Sequence, residues 1–160
     1  MYNYNKKSII IVNNYRLCGE NVQRKNIYLE VDQKIRYHKQ AHKDEWLLET
    51  KGELVDLKTF SKISYVDRED IPIEVKWYTQ RDAGHLIAEI KQPQYTLTFN
   101  PSKQTYTFYM TPQGLWELAV ETEKVQFSET ETGVKLMIQY QVLINEEPLG
   151  DYEFQLHYRN

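Results

Sequence analysis

Apolar residues recur at every second position along most of the chain, the period of a β-strand with one dry and one wet face. The pattern is clearest near the C-terminus. There Val134, Leu136, Ile138, Tyr140, Val142 and Ile144 share one parity, while Lys135, Gln139, Gln141 and Asn145 take the other; Met137 and Leu143 interrupt it. Tyr152, Phe154, Leu156 and Tyr158 alternate in the same way with Glu153, Gln155, His157 and Arg159, after a break over residues 145–150 that predicts a hairpin. Upstream, Trp116, Leu118 and Val120 alternate with Glu117, Ala119 and Glu121, and a polar turn over residues 128–133 leads into the next strand. Tyr95, Leu97 and Phe99, then Tyr106, Phe108 and Met110, flank Asn100-Pro101-Ser102-Lys103. Proline cannot donate to a ladder, so this stretch is a connection and the two segments are expected as another hairpin. Ile73, Val75 and Trp77 pair by the same grammar with Leu86, Ala88 and Ile90 around residues 80–84. Ile27, Leu29, Val31, Ile35 and Tyr37 form an earlier strand, followed by strands that carry Trp46, Leu48, Leu54 and Tyr65. Residues 38–45 are the one place where a helical turn is expected.

Eight to ten short antiparallel strands in sequence order must hide their edges, either in a sandwich or in a closed meander. Hairpin-length connections favour the meander. The expectation is an all-β chain with a single antiparallel meander β-barrel over residues 21–160. Residues 1–20, with the apolar run Ile9-Ile10-Ile11-Val12, are expected as an N-terminal extension or an extra strand.

Composition agrees with this picture. Thirteen tyrosines among 160 residues suit strands, because the ring covers a pleated surface while the hydroxyl finds a partner at its rim. The net charge of -3 and the scattered basic residues argue against a nucleic-acid partner. Cys18 is the single cysteine, which excludes an intramolecular disulfide and a multi-thiolate metal site. The run at residues 8–12 is too short for a secretory signal or a membrane span, and a cytoplasmic location is expected.

The segment Tyr109-Met110-Thr111-Pro112-Gln113-Gly114, followed by the strand from Glu117 to Thr122 and by Leu136-Met137-Ile138-Gln139-Tyr140, resembles the YwiB-like family of uncharacterised bacterial proteins. Lys51-Gly52-Glu53 and Ile63-Ser64-Tyr65 with Glu69 are similar to that family's earlier strands, so the resemblance spans Gln23 to Arg159. It departs from the family at Lys91-Gln92-Pro93, where an Arg-x-Gly element would stand, and over the first twenty residues. The resemblance implies a lipocalin-like, calycin-type β-barrel and transfers no catalytic residue. In the Thr111–Gly114 turn, Pro112 presets its own φ and Gly114 can take a positive one.

Candidate chemistry is sparse. His38 and His42 with His85 and Asp44 could supply a zinc site, yet the charged residues around them read as a solvated loop. No Gly-x-Ser-x-Gly elbow or phosphate-binding loop occurs. Glu117 and Glu121 share a face opposite to Trp116 and Leu118, which puts them on the outside. No catalytic residue, metal or cofactor is assigned, and enzymatic function is the weakest of the three readings.

The barrel itself remains. The expected inward set is Trp77, Tyr95, Phe99, Phe108, Trp116, Tyr140, Phe154 and Tyr158. Such rings either fill the lumen or line a cavity for a small hydrophobic or amphipathic ligand. Tyr95, Phe108, Tyr109, Trp116, Tyr140 and Phe154 are the candidate residues for that cavity or its entrance. The alternative is a packed barrel that acts through an external face, with a second copy as the candidate partner.

Overall fold

The computed structural model describes residues 22–159, so Cys18 and the run at residues 8–12 lie outside it. Ten strands form: β1 (Gln23–Tyr37), β2 (Lys43–Asp56), β3 (Ser61–Val66), β4 (Pro72–Thr79), β5 (Leu86–Lys91), β6 (Thr96–Phe99), β7 (Thr105–Thr111), β8 (Gly114–Thr130), β9 (Gly133–Ile144) and β10 (Glu147–Arg159). Among the described residues there is no helix. The turn of helix expected after His38 is a bend, because the His38 N–H donates to the Leu149 carbonyl on β10 and the Tyr37 N–H to the His42 carbonyl.

All neighbouring strands are antiparallel, in the order β6-β5-β4-β3-β2-β1-β10-β9-β8-β7. The first and last strands pair along their length, from Tyr28 opposite Arg159 to Tyr37 opposite Gly150. That pairing curls the meander into a nearly closed barrel, with a single seam between β6 and β7. The hairpin expected at residues 95–110 is therefore corrected: its two arms are consecutive in the chain but form the two edges of the seam. The connection explains this. Asn100 is buried and its Oδ1 accepts from the Ser102 N–H (3.0 Å) and hydroxyl (2.7 Å), which coils the loop locally instead of making the two-residue turn that sets a hairpin register. Side chains bridge the seam. The Thr105 hydroxyl donates to the Thr98 carbonyl, and the rings of Tyr95 and Tyr109 meet edge to face at 5.3 Å.

Elsewhere the turns are tighter than the sequence pattern suggests. Thr130 pairs with Gly133, which shrinks the 128–133 turn to two residues, and Ile144 pairs with Glu147 around Asn145 and Glu146. Both of the latter take positive φ (48° and 69°), as a type I′ turn requires. Pro148 consequently lies inside β10 rather than in the loop, where a register shift between Pro148 and Gly150 accommodates it.

The interior has two unlike halves. Ile63, Val75, Phe99, Leu136, Ile138, Phe154 and Leu156 are almost wholly excluded from water around the middle. Towards one end Trp77 packs against the rings of Phe127 and Tyr158, at 5.8 and 6.4 Å, and plugs the barrel. Towards the other end lie the connections after β1, β3, β5, β7 and β9, and here the rings touch in pairs, Tyr95 with Tyr109 and Tyr140 with Tyr152, and leave open space between them.

Candidate ligand-binding site

Antiparallel pairing brings the inward positions of distant strands to one level at this second end. The two-residue turn after Thr111 places Tyr109 opposite Trp116; the β8–β9 register places Thr122 opposite Tyr140; the β9–β10 register places Tyr140 opposite Tyr152. The turn holds itself in shape. The Gln113 N–H donates to the Thr111 hydroxyl (3.2 Å), that hydroxyl donates to the Gly114 carbonyl (2.9 Å), and Gly114 sits at φ 122°.

Together these residues line a cavity of about 370 Å³, whose walls include Tyr95, Tyr109, Trp116, Tyr140, Tyr152 and Trp46. Tyr140 is its floor, 7% exposed, with its ring 4.5 Å from Phe99 and stacked on Tyr152 at 5.1 Å. A smaller depression of about 250 Å³ adjoins it beneath the β3–β4 loop. Gln33, Trp46, Ile90 and Gln92 line both, so the two spaces meet there.

Burial raises the phenols of Tyr95 and Tyr140 above their ordinary range, and that of Tyr152 to about 12. Neighbouring phenols push in the same direction, while Gln92 partly opposes the shift at Tyr95. All three are protonated and uncharged at neutral pH, able to donate or accept a hydrogen bond.

Of the six residues singled out in the sequence, Tyr95, Tyr109, Trp116 and Tyr140 line this cavity and Phe154 lines the adjoining depression. Phe108 does not. It pairs with Glu117 on the outer surface and is 59% exposed, within a stripe formed with Tyr106 (61%), Met110 (70%) and Leu115 (58%). The inward residues of β7 are Thr105, Thr107, Tyr109 and Thr111, because pairing across the Pro112-Gln113 turn gives Tyr109, not Phe108, the parity of Trp116. Trp46, Tyr152, Gln33 and Gln92 are site residues that the alternation alone did not single out. Gln33 did carry a signal, as the one polar side chain between Val31 and Ile35 on the buried parity of β1.

The mouth is laced on its outside. Asp151 of β10 accepts from the guanidinium of Arg36 (2.5 and 3.2 Å) and the Gln141 amide (2.7 Å), and lies 3.0 Å from His38 Nε2. His42 Nε2 lies 2.8 Å from Asp44, which also accepts from the Tyr37 hydroxyl at 3.0 Å. These two histidines thus contact carboxylates on β10 and β2 rather than each other, and no group of three or more metal-ligating side chains gathers among the described residues.

A family model described as "Domain of unknown function (DUF1934)" matches residues 30–156. The chain belongs to the DUF1934 family. The match takes in eight of the ten strands whole, β2 to β9, together with the second half of β1 and most of β10, so it spans the barrel. Among solved structures the chain is similar to the crystal structure of ywiB protein from Bacillus subtilis, with 15% identity over 86% of this chain and 94% of that one, and a TM-score of 0.59. That likeness carries the fold, in keeping with a YwiB-like DUF1934 barrel, and says nothing about a ligand. No curated protein matches the chain. No helix among the described residues is long and apolar enough to cross a membrane.

Proposed function

We propose that this DUF1934 chain is a binding protein whose barrel takes a small apolar or amphipathic molecule between its aromatic walls. The observation that carries the reading is the 370 Å³ cavity with Trp46, Trp116 and four tyrosines on its walls. Small-molecule sites combine mostly apolar linings with a few polar groups that orient the guest, and fall in this range of size. Phenol hydroxyls and two carboxamides supply the polar groups.

Thermal shift against a library of aromatic and amphipathic compounds, paired with native mass spectrometry, tests it. A ligand at a hundred times its Kd stabilises by about 2.7 kcal/mol, which raises Tm by roughly 5–10 °C for a chain of this size. A bound mass and a shift of that order are expected for the native chain and are lost in Trp116→Ala. Finding neither with any compound refutes the reading.

A second reading rests on a different observation. The stripe of Tyr106, Phe108, Met110 and Leu115 lies beside the free edge of β7, whose residues 105–111 carry no charge and no proline. Exposed edges of that kind are open to pairing with another chain. The occupant proposed is a second copy, and sedimentation of the native chain beside Phe108→Glu and Met110→Lys checks it: a concentration-dependent dimer abolished by either change supports it, a native monomer rejects it.

A further inference from the structure

The cavity walls contain no charged side chain that points inward. Lys34 borders it, but Lys34 has the outward parity of β1 between Gln33 and Ile35, and its ammonium lies 3.8 Å from Asp32 on that same outer face. In the adjoining depression the charged groups belong to the β3–β4 loop. Asp67 is occupied there, with Oδ1 accepting the N–H groups of Glu69 (2.8 Å) and Ile71 (3.0 Å). Arg68 lies over the Trp46 ring at 5.6 Å, flanked by Asp67, Glu69 and Asp70, so its surroundings are acidic overall.

A charged head group drawn into the 370 Å³ cavity would lose water and meet no inward counter-charge there, since Arg68 and the loop carboxylates line only the adjoining depression, and that cost would need an inward ion pair to offset it. The inward polar groups are instead neutral. Gln33 and Gln92 are half-buried, line both spaces, and each carries one acceptor oxygen and two donor hydrogens.

Resting on the ligand-binding reading above, we propose that the barrel selects an uncharged, flat molecule, and that the carboxamides of Gln33 and Gln92 read a polar edge of it, such as a carbonyl or hydroxyl. Charged amphiphiles of the same shape are rejected. The aromatic walls set shape and the two amides set polarity.

Two fluorescent probes with one ring system test this: N-phenyl-1-naphthylamine, which is neutral, and 8-anilinonaphthalene-1-sulfonate, which is anionic. The native chain is titrated with each, as are Gln33→Lys and, in case the first fails to fold, Gln92→Lys. The neutral probe is expected to bind the native chain at least tenfold more tightly. Either lysine is expected to improve sulfonate binding at least tenfold by supplying the missing counter-charge. Failure of both probes to bind overturns the ligand-binding reading itself. Equal binding of the two to the native chain leaves a site but overturns its selectivity. A neutral preference that neither lysine alters overturns the assignment of Gln33 and Gln92 and locates the probe elsewhere, with the outer stripe of β7 and β8 as the place to examine.

Discussion

Asp151→Asn removes the charge on which the outer lacing of the mouth converges. The Arg36 guanidinium, held in two contacts, is the largest influence on this carboxyl and lowers it from 3.8 to about 2; partial burial opposes that, and Gln141 and His38 add to it. A pKa lowered on folding means that the folded chain favours the carboxylate, so the contribution is complete above the unfolded value, near pH 4, and is lost as pH falls through about 2. At about 1.36 kcal/mol per unit the shift corresponds to somewhat over 2 kcal/mol. The side chain is 31% exposed, and screening by water roughly halves this, to about 1 kcal/mol. Urea unfolding of the native chain and Asp151→Asn at a series of pH values is the assay. The variant is expected to be less stable by about 1 kcal/mol at pH 7, and the difference to fall to about a sixth of that at pH 2, where Asp151 is half protonated in the folded chain and almost wholly protonated in the unfolded one. A gap that persists unchanged at pH 2 refutes the electrostatic account, since only lost packing or shape would survive there.

Three further outcomes follow from the packing. Phe154→Ala, at a ring 1% exposed between the two halves of the lumen, is expected to cost about 3–5 kcal/mol in urea unfolding, and a loss under 1 kcal/mol would mean the interior is looser than described. Gly133→Ala places a Cβ 2.0 Å from the Tyr158 carbonyl oxygen at φ 154°, whereas Gly84 at φ 65° has open space around it; thermal melting should show Gly133→Ala as much the worse of the two, with Gly84→Ala costing about 1 kcal/mol. Trp46 and Trp116 line the cavity while Trp77 plugs the far end, so a cavity ligand should change tryptophan emission in Trp77→Phe as strongly as in the native chain, and much less in the double variant Trp46→Phe with Trp116→Phe, which keeps only Trp77.

The barrel was legible because alternation is a local property with a strong physical cause. In β9 and β10 one parity enters the core at every step, from Leu136 to Val142 and from Phe154 to Tyr158, and no tertiary detail can move it without moving the whole strand. In β7 both parities carry rings: Tyr106 and Phe108 on one, Tyr109 on the other. Hydrophobicity alone cannot choose a phase when the inward face borders a cavity and holds threonines. The choice could still have been made from the turn, since a two-residue connection at Pro112-Gln113 sets Phe108 opposite Glu117, a residue already read as outward. Gln33 and Gln92 were harder to find. Gln33 lies on β1 and Gln92 just after β5, four pairings along the meander, and they line one space only because the sheet curls round until both face the same lumen, a curvature that no local pattern records.

The same registers explain why large rings leave room in this interior. Trp77, Phe99, Phe154 and Tyr158 could occlude the lumen only if they shared a level with Trp116, Tyr109 and Tyr95. They do not, because Leu29 faces Tyr158 at one end of β1 while Ile35 faces Tyr152 at the other, and the rings divide between those levels. Tyr140 joins the two sets, touching Phe99 on the packed side and Tyr152 on the open side. Tyr140 lines the cavity, and burial keeps its hydroxyl protonated. Tyr140→Phe deletes that hydroxyl while keeping both ring contacts, and it should leave unfolding nearly unchanged while weakening any ligand whose polar edge reaches the floor. If the guest instead engages only Gln33 and Gln92 at the mouth, Tyr140→Phe binds it as the native chain does, and the depth of the bound molecule is read directly from that one comparison.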